Sequence, residues 1–104
     1  QTTSKRLPFK KDMPLPQRLK FVHNNEIYEI TYRRNSFDNF IHIKLRRVLT
    51  DELLLTARLV NGGIHIVRRS ENGVTDFILV VVNVGKDNVD IRLIDDDYQV
   101  AEIG

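Results

Sequence analysis

The residues able to do chemistry are few and scattered. Asp95-Asp96-Asp97 follows Asp87 and Asp90, and clustered carboxylates are the oxygen ligands that Ca²⁺ or Mg²⁺ would take. The run has neither the central glycine nor the closing glutamate of a calcium loop in register, so it reads as a solvated turn. His23, His42 and His65 are the only histidines. Each falls on an expected strand, with His42 and His65 opposite apolar alternates and so directed at solvent or a partner. A zinc site would need all three to converge, and none of their spacings matches two ligands on one helical turn. Ser4, Ser36 and Ser70 lie in turns or near the chain start, outside any nucleophile-elbow pattern. Asn61-Gly62-Gly63 is a turn with no helix opening behind it, hence not a phosphate loop. The chain has no cysteine, which removes disulfides, thiolate metal sites and a cysteine nucleophile. A paired-carboxylate hydrolase stays open, but it would need a cleft that so small a sandwich seldom provides; no cofactor and no metal are expected.

Basic residues are the remaining candidates. Arg33-Arg34, Lys44, Arg46-Arg47 and Arg68-Arg69 would suit a phosphate-binding face if they shared one surface, as in OB-fold or Sm-like barrels that stack bases on aromatic side chains. Tyr28, Tyr32 or Phe40 would be the stacking platforms, but Tyr28 and Tyr32 share parity with Ile30 and belong to a core. Net charge is +2, but Lys and Arg outnumber Asp and Glu by 14 to 6 up to Ser70 and are outnumbered by 8 to 2 beyond it. Such polarity steers charged partners when it survives folding and cancels when the halves interleave.

The elements that must position these residues are strands. The organising one is Phe77 to Val84, an apolar run rich in β-branched residues, expected to be a central strand buried on both faces with Val80, Val81 and Val82 all covered. A turn at Glu71-Asn72-Gly73 precedes it and Gly85-Lys86-Asp87-Asn88 follows. Gln17 to His23 alternates Leu19 and Phe21 with Arg18 and Lys20, and Asn24-Asn25 makes a two-residue hairpin turn. Glu26 to Arg34 puts Tyr28, Ile30 and Tyr32 on one face. Phe40 to Val48 opposes Ile41, Ile43 and Leu45 to His42, Lys44 and Arg46. Residues 51–60 read as a strand through Leu53, Leu55, Ala57 and Leu59, against a short helix. Ile64 to Arg69, Val89 to Ile94 and Tyr98 to Ile103 complete the set. Seven or eight short strands joined by tight turns imply an all-β fold, an antiparallel sandwich or partly closed barrel, forming one domain over residues 17–104.

Residues 1–16 hold every proline, Pro8, Pro14 and Pro16. Proline removes backbone donors and fixes φ, so the segment reads as an extended arm and not a ladder strand. Leu15 straps onto the domain, while Phe9 and Met13 are candidates for insertion into a partner. Residues 1–14 are then expected to contribute little to the stability of the domain itself. No apolar run reaches the length of a membrane helix, and the first residues lack the apolar block of a secretory signal.

In order along the chain, Gln17-Arg18-Leu19-Lys20-Phe21, Glu26 to Asn35, Asp38-Asn39-Phe40-Ile41-His42-Ile43, Leu59 to Gly63 and Asn83 to Asp95 resemble the small baseplate plug proteins of phage and prophage tails. The resemblance covers most of the chain, and the closing Asn83-Val84 to Leu93-Ile94-Asp95 block carries most of its weight. The basic Arg46-Arg47-Val48-Leu49 hairpin departs from the polar or glycine-containing turn expected there. What the resemblance implies is a structural component of a tail baseplate or tail tip with no enzymatic activity, made in the host cytoplasm and built into the virion. Its partners would be hub and tube proteins, with self-association open and no membrane contact. Phe9, Met13, Arg46, Arg47, Arg68 and Arg69 are the candidate partner-binding residues, and a nucleic-acid-binding β-barrel is the alternative.

Overall fold

The computed structural model describes residues 2–68, 75–85 and 88–96. Eight strands run in chain order: β1 (Thr2–Arg6), β2 (Gln17–His23), β3 (Glu26–Arg34), β4 (Ile41–Arg47), β5 (Glu52–Arg58), β6 (Ile64–Arg68), β7 (Thr75–Val84) and β8 (Val89–Asp96). They form two four-stranded antiparallel sheets, sheet I in the order β1-β8-β7-β6 and sheet II in the order β2-β3-β4-β5. Going round the molecule the strands keep their chain order. The chain changes sheet only through 7–16 and 59–63.

Period-2 alternation explains which side chains meet in between. Tyr28, Ile30 and Tyr32 of β3 and Ile41, Ile43 and Leu45 of β4 face Phe77, Leu79 and Val81 of β7 and Val89, Ile91 and Leu93 of β8, and all are buried. The Tyr28 and Phe77 rings meet edge to face at 5.4 Å and 89°, which ties the two layers together. Asn24 (φ 50°) and Asn25 (φ 64°) both take the left-handed region, the geometry a two-residue turn needs to match the twist of β2 and β3. The ambiguous stretch is a strand, β5, entered through Asp51 at φ 56°.

Four expectations are corrected. First, β7 is not covered on both faces: Val81 is 0% exposed but Val82 is 52% exposed, with Val80 between them. Among the described residues no further layer lies outside sheet I, and Ile78, Val80 and Val82 face outward. Second, the start of the chain is not a free arm. Thr2–Arg6 pairs with β8 from Thr2↔Asp96 to Arg6↔Arg92, and Leu7 follows it into the core at 2% exposure; the prolines begin only at Pro8, so nothing in Thr-Thr-Ser-Lys-Arg denies the ladder its donors. Third, Asp95 is not in a turn but on β8, where its carboxylate lies 2.7 Å from His23 Nε2. Fourth, His65 shares parity with buried Val67, and its Nε2 is shielded from solvent. The turn at 71–73, Arg69 and the strand expected at 98–103 lie outside the described residues.

Candidate partner-binding cleft

The crossing from β1 to β2 is held from below by a single glutamine. Gln17 is 2% exposed, yet its amide is satisfied: Oε1 accepts from Lys10 N at 2.9 Å, and Nε2 donates to Lys10 O at 2.9 Å and to Met13 O at 3.1 Å. A buried amide so bonded fixes the loop it touches. Tyr32 adds a second tie by donating its hydroxyl to Pro8 O at 2.7 Å, and burial pushes that phenol well above its ordinary pKa. Phe9 then packs edge-on against the Tyr32 ring at 5.0 Å and 81°. The Leu15–Pro16 bond is cis.

Opposite stands the β3–β4 loop, which is shaped by its own side chains. Asn35 Oδ1 accepts from Phe37 N at 2.8 Å, and Asp38 Oδ1 accepts from Phe40 N at 2.9 Å; such Asx turns free a loop from needing partners elsewhere. The Phe40 N–H, and after it His42, hold the Asp38 carboxyl below the usual carboxylate range. The loop leaves Phe37 99% and Phe40 41% exposed, with the Arg58 guanidinium 4.7 Å above the Phe40 ring, a cation–π distance.

Between these two walls lies an open cleft of about 1000 Å³. Its apolar surface comes from Phe9, Met13, Leu15, Phe40, Leu59 and Val84, with Lys11, Asp12 and Arg34 around it. Met13 is 40% exposed. One carboxylate and two cations give the cleft the means to recognise a segment. Among the described residues, no group of three or more His, Asp or Glu could hold a metal ion.

Of the residues singled out in the sequence, Phe9 and Met13 therefore meet in one cleft, while Arg46, Arg47 and Arg68 point to three different places. Arg46 points out from β4 and donates to Glu29 at 2.8 Å and to Asp51; these bonds, Glu29's first, raise its pKa further. Arg47, one residue on, is 7% exposed and faces Glu26 at 3.2 Å, Glu52 at 3.7 Å and Asp76 at 3.9 Å. The pairing is electrostatic, since neither Nε nor Nη2 makes an aligned hydrogen bond. Asp76 reaches this cluster because of a register shift: Val67 pairs with Phe77 and Arg68 with Thr75, leaving Asp76 the bulge residue that can turn inward. There it and Glu26 both lie within hydrogen-bond distance of the Tyr28 hydroxyl, at 2.9 Å and 3.0 Å. Burial, then Asp76, pushes the Tyr28 phenol well above its ordinary pKa. Arg68 lies on β6, in the other sheet.

Sequence reasoning missed Phe37, Phe40 and Arg58 as cleft and rim residues. The signal was two phenylalanines inside the turn-forming Asn35-Ser-Phe-Asp-Asn-Phe40, too polar a setting for core aromatics. Arg33, Lys44 and Arg46, named in the sequence as a possible shared face, do share the outer face of sheet II; what was missed is that Arg18, Lys20 and Arg58 join them there, as the ladder registers require. No family model, curated protein or solved structure matches this chain.

Proposed function

We propose that this chain is a structural subunit of a phage or prophage tail baseplate, working by binding hub and tube proteins and not by catalysis. The sequence blocks that resemble baseplate plugs support the setting. The observation that carries the binding role is the end cleft, where Phe9, Met13 and Phe40 leave aromatic and thioether surface open to solvent on a scaffold tied down by Gln17. Exposed apolar concavities of this kind mark partner sites, and a flexible Met suits an imperfectly matched surface. In the genome that encodes the chain, deleting its gene should abolish complete tails seen by electron microscopy. Complementation with Met13→Asp combined with Phe40→Asp, a protein expected to fold normally, should fail to restore them. Normal tails without the gene would overturn the tail setting, and normal tails with the cleft variant would overturn the cleft.

The basic outer face of sheet II favours nucleic acid as the second reading. If Arg18, Lys20, Arg33, Lys44 and Arg58 contact phosphates, affinity should fall steeply with salt through counterion release. The tail reading expects only background binding at physiological salt. Tyr28 and Tyr32 are buried and offer no stacking surface, so Phe40, 41% exposed, is the one of the three aromatic platforms open to a base.

A further inference from the structure

Each sheet ends in two strands whose outer backbone groups have no ladder partner among the described residues, and proteins guard such edges with charge, proline or bulges. Three of the four edges here are guarded. On β1 the guards are Lys5 and Arg6, and the Lys5 ammonium reaches across to Val22 O of β2 at 2.6 Å. On β2 they are Arg18 and Lys20, behind Pro16. β5 carries a register shift, with Leu45 opposite Leu55 and Arg46 opposite Leu53, so Leu54 breaks its alternation. β6 is the least guarded: it carries one charge, Arg68, at its last position, and the register shift beside it puts the extra residue, Asp76, on β7. β6 is the last strand of sheet I, it reads Ile-His-Ile-Val-Arg, and its outward residues Ile64 and Ile66 are 64% and 48% exposed. Leu53, on the neighbouring edge, is 58% exposed, so this side of the sandwich is open.

The outward apolar surface continues inward from that edge. Ile64 sits beside Val80 and Ile66 beside Ile78, and Ile78 sits beside Ile94. An antiparallel strand added to β6 would extend this surface only if its outward residues were apolar at the same alternation. β6 itself meets that condition. About a two-fold axis at Ile66, Ile66 opposes Ile66 of the second copy, Ile64 opposes Arg68, and inward His65 opposes inward Val67. Every residue keeps its face and no like charges are opposed. The two Arg68 side chains fall about 14 Å apart at the ~3.4 Å strand rise, beyond the ~8 Å screening length at physiological salt. A second copy could not use the outer face of sheet II against this surface, because doing so would bury its cations on aliphatic side chains.

We propose that β6 pairs with β6 of a second copy, two-fold about Ile66, joining the two copies of sheet I into one eight-stranded sheet. A five-residue strand pair is small beside the ~1,200 Å² of a standard stable interface, so the dimer is a weak one, promoted where copies are concentrated in an assembly. The interface is separate from the end cleft and does not rest on the tail setting.

Sedimentation of the purified chain from about 1 µM to about 1 mM should show a reversible monomer–dimer equilibrium. Ile66→Lys and Ile66→Glu, at a half-exposed position, should each be folded and monomeric, because each puts like charges face to face. Mixed together, the two variants should associate, since only a two-fold at this residue sets Lys against Glu. In a chain without cysteine, Ile66→Cys should oxidise to a covalent dimer, whereas Val82→Cys, on the same face but away from the axis, should not. A wild-type chain monomeric to about 1 mM, a dimer that survives Ile66→Lys, a Lys–Glu mixture that stays monomeric, or equal cross-linking at both cysteines would overturn the proposal. Because these measurements use the isolated protein, the dimer can fail while the cleft and its tail role stand, and the reverse.

Discussion

The two outer faces of this sandwich are built on the same alternation and are chemically opposite. Outside sheet II the alternate positions are Arg18, Lys20, Arg33, Lys44 and Arg58, all exposed, with Glu29 held between Arg46 at 2.8 Å and Arg18 at 3.8 Å. Outside sheet I they are Ile64, Ile66, Ile78, Val80, Val82 and Ile94, with Asp90 and Arg92 to one side. A single-layer antiparallel sheet normally turns a polar face to water, and sheet II does so. Sheet I does not: among the described residues nothing covers its aliphatic grid. The comparison also relocates the charge polarity of the chain. Strands β2 to β5 make up sheet II, so much of the basic half of the sequence stays together in space, and the interleaving that would cancel its field does not occur there.

The largest effect should separate the two sides of sheet I itself. Val81→Asp puts an unpaired carboxylate into a fully buried site, a cost of several kcal/mol against a total stability of about 5–15 kcal/mol. The domain should unfold or lose most of its cooperative transition in urea. Val82→Asp, one residue along, should remain folded within about 0.5 kcal/mol of the parent, the usual range for surface changes. Equal damage from both would mean that the outer face of sheet I is covered in the isolated chain.

A parallel contrast should hold across sheet II at Arg46 and Arg47. Removing Arg47 takes away the cation that Glu26, Glu52 and Asp76 share, and breaking a buried ion cluster costs about 3–5 kcal/mol. Arg47→Ala should therefore lower the melting temperature far more than Arg46→Ala, whose partner Glu29 retains Arg18. Comparable melting curves for the two variants would show that Arg47 is not the counter-ion the geometry makes it.

Next in size is the loss of residues 1–14. Deleting them removes Leu7 from the core, about 2 kcal/mol for an aliphatic side chain, and turns β8 into an edge. A fall in melting temperature of about 8–16 °C follows from the entropy of unfolding a domain of this size. A truncated chain with unchanged stability would return the segment to the status of a free arm and detach β1 from the rim of sheet I.

Much of this was legible from alternation. Tyr28-x-Ile30-x-Tyr32 and Ile41-x-Ile43-x-Leu45 set the inner face of sheet II without further information, and Asn24-Asn25 set the turn between β2 and β3. Arg47 was legible too, since it continues the parity of Ile41, Ile43 and Leu45, but an Arg-Arg pair invites a surface reading. The aliphatic run in β7 says strand, yet it cannot say whether a second layer covers its outer side, because β-branched residues satisfy the pleat either way. β1 was hidden because Thr-Thr-Ser-Lys-Arg joins the sheet through its backbone and the apolar anchor, Leu7, comes after the strand. Asp76 was hidden for another reason: a one-residue bulge reverses parity, and no residue type at 75–77 announces it. Of the cleft, Phe9 and Met13 stood out as apolar residues among prolines. Its opposite wall did not, because it takes a folded β3–β4 loop to bring Phe40 across from them.

The smallest effect compares two carboxylates, Asp90 outside sheet I and Asp38 in the β3–β4 loop at the margin of sheet II. Both are held below the ordinary carboxylate range, so in each case the folded state binds its proton less readily than the unfolded chain. The stabilisation is therefore present above the unfolded pKa of about 3.9 and is lost as pH falls through the lower folded value. The causes differ. Asp90 is held first by its hydrogen bond from Arg92, at 3.0 Å, with the Arg6 charge adding to it, whereas Asp38 is held first by the backbone N–H of Phe40 and only then by His42 and Arg58. Attraction between exposed charges is screened by salt, while a hydrogen bond from a neutral amide in a closed loop is not. Titration of the side-chain carboxyl carbons by NMR should find both aspartates depressed at low salt. At about 1 M salt, where the screening length shrinks to about 3 Å, Asp90 should move most of the way back toward its unfolded value and Asp38 should move little. If the two shift back together, the Asp38 depression comes from His42 and Arg58, and the loop that presents Phe40 to the cleft is held by charge and not by its own backbone.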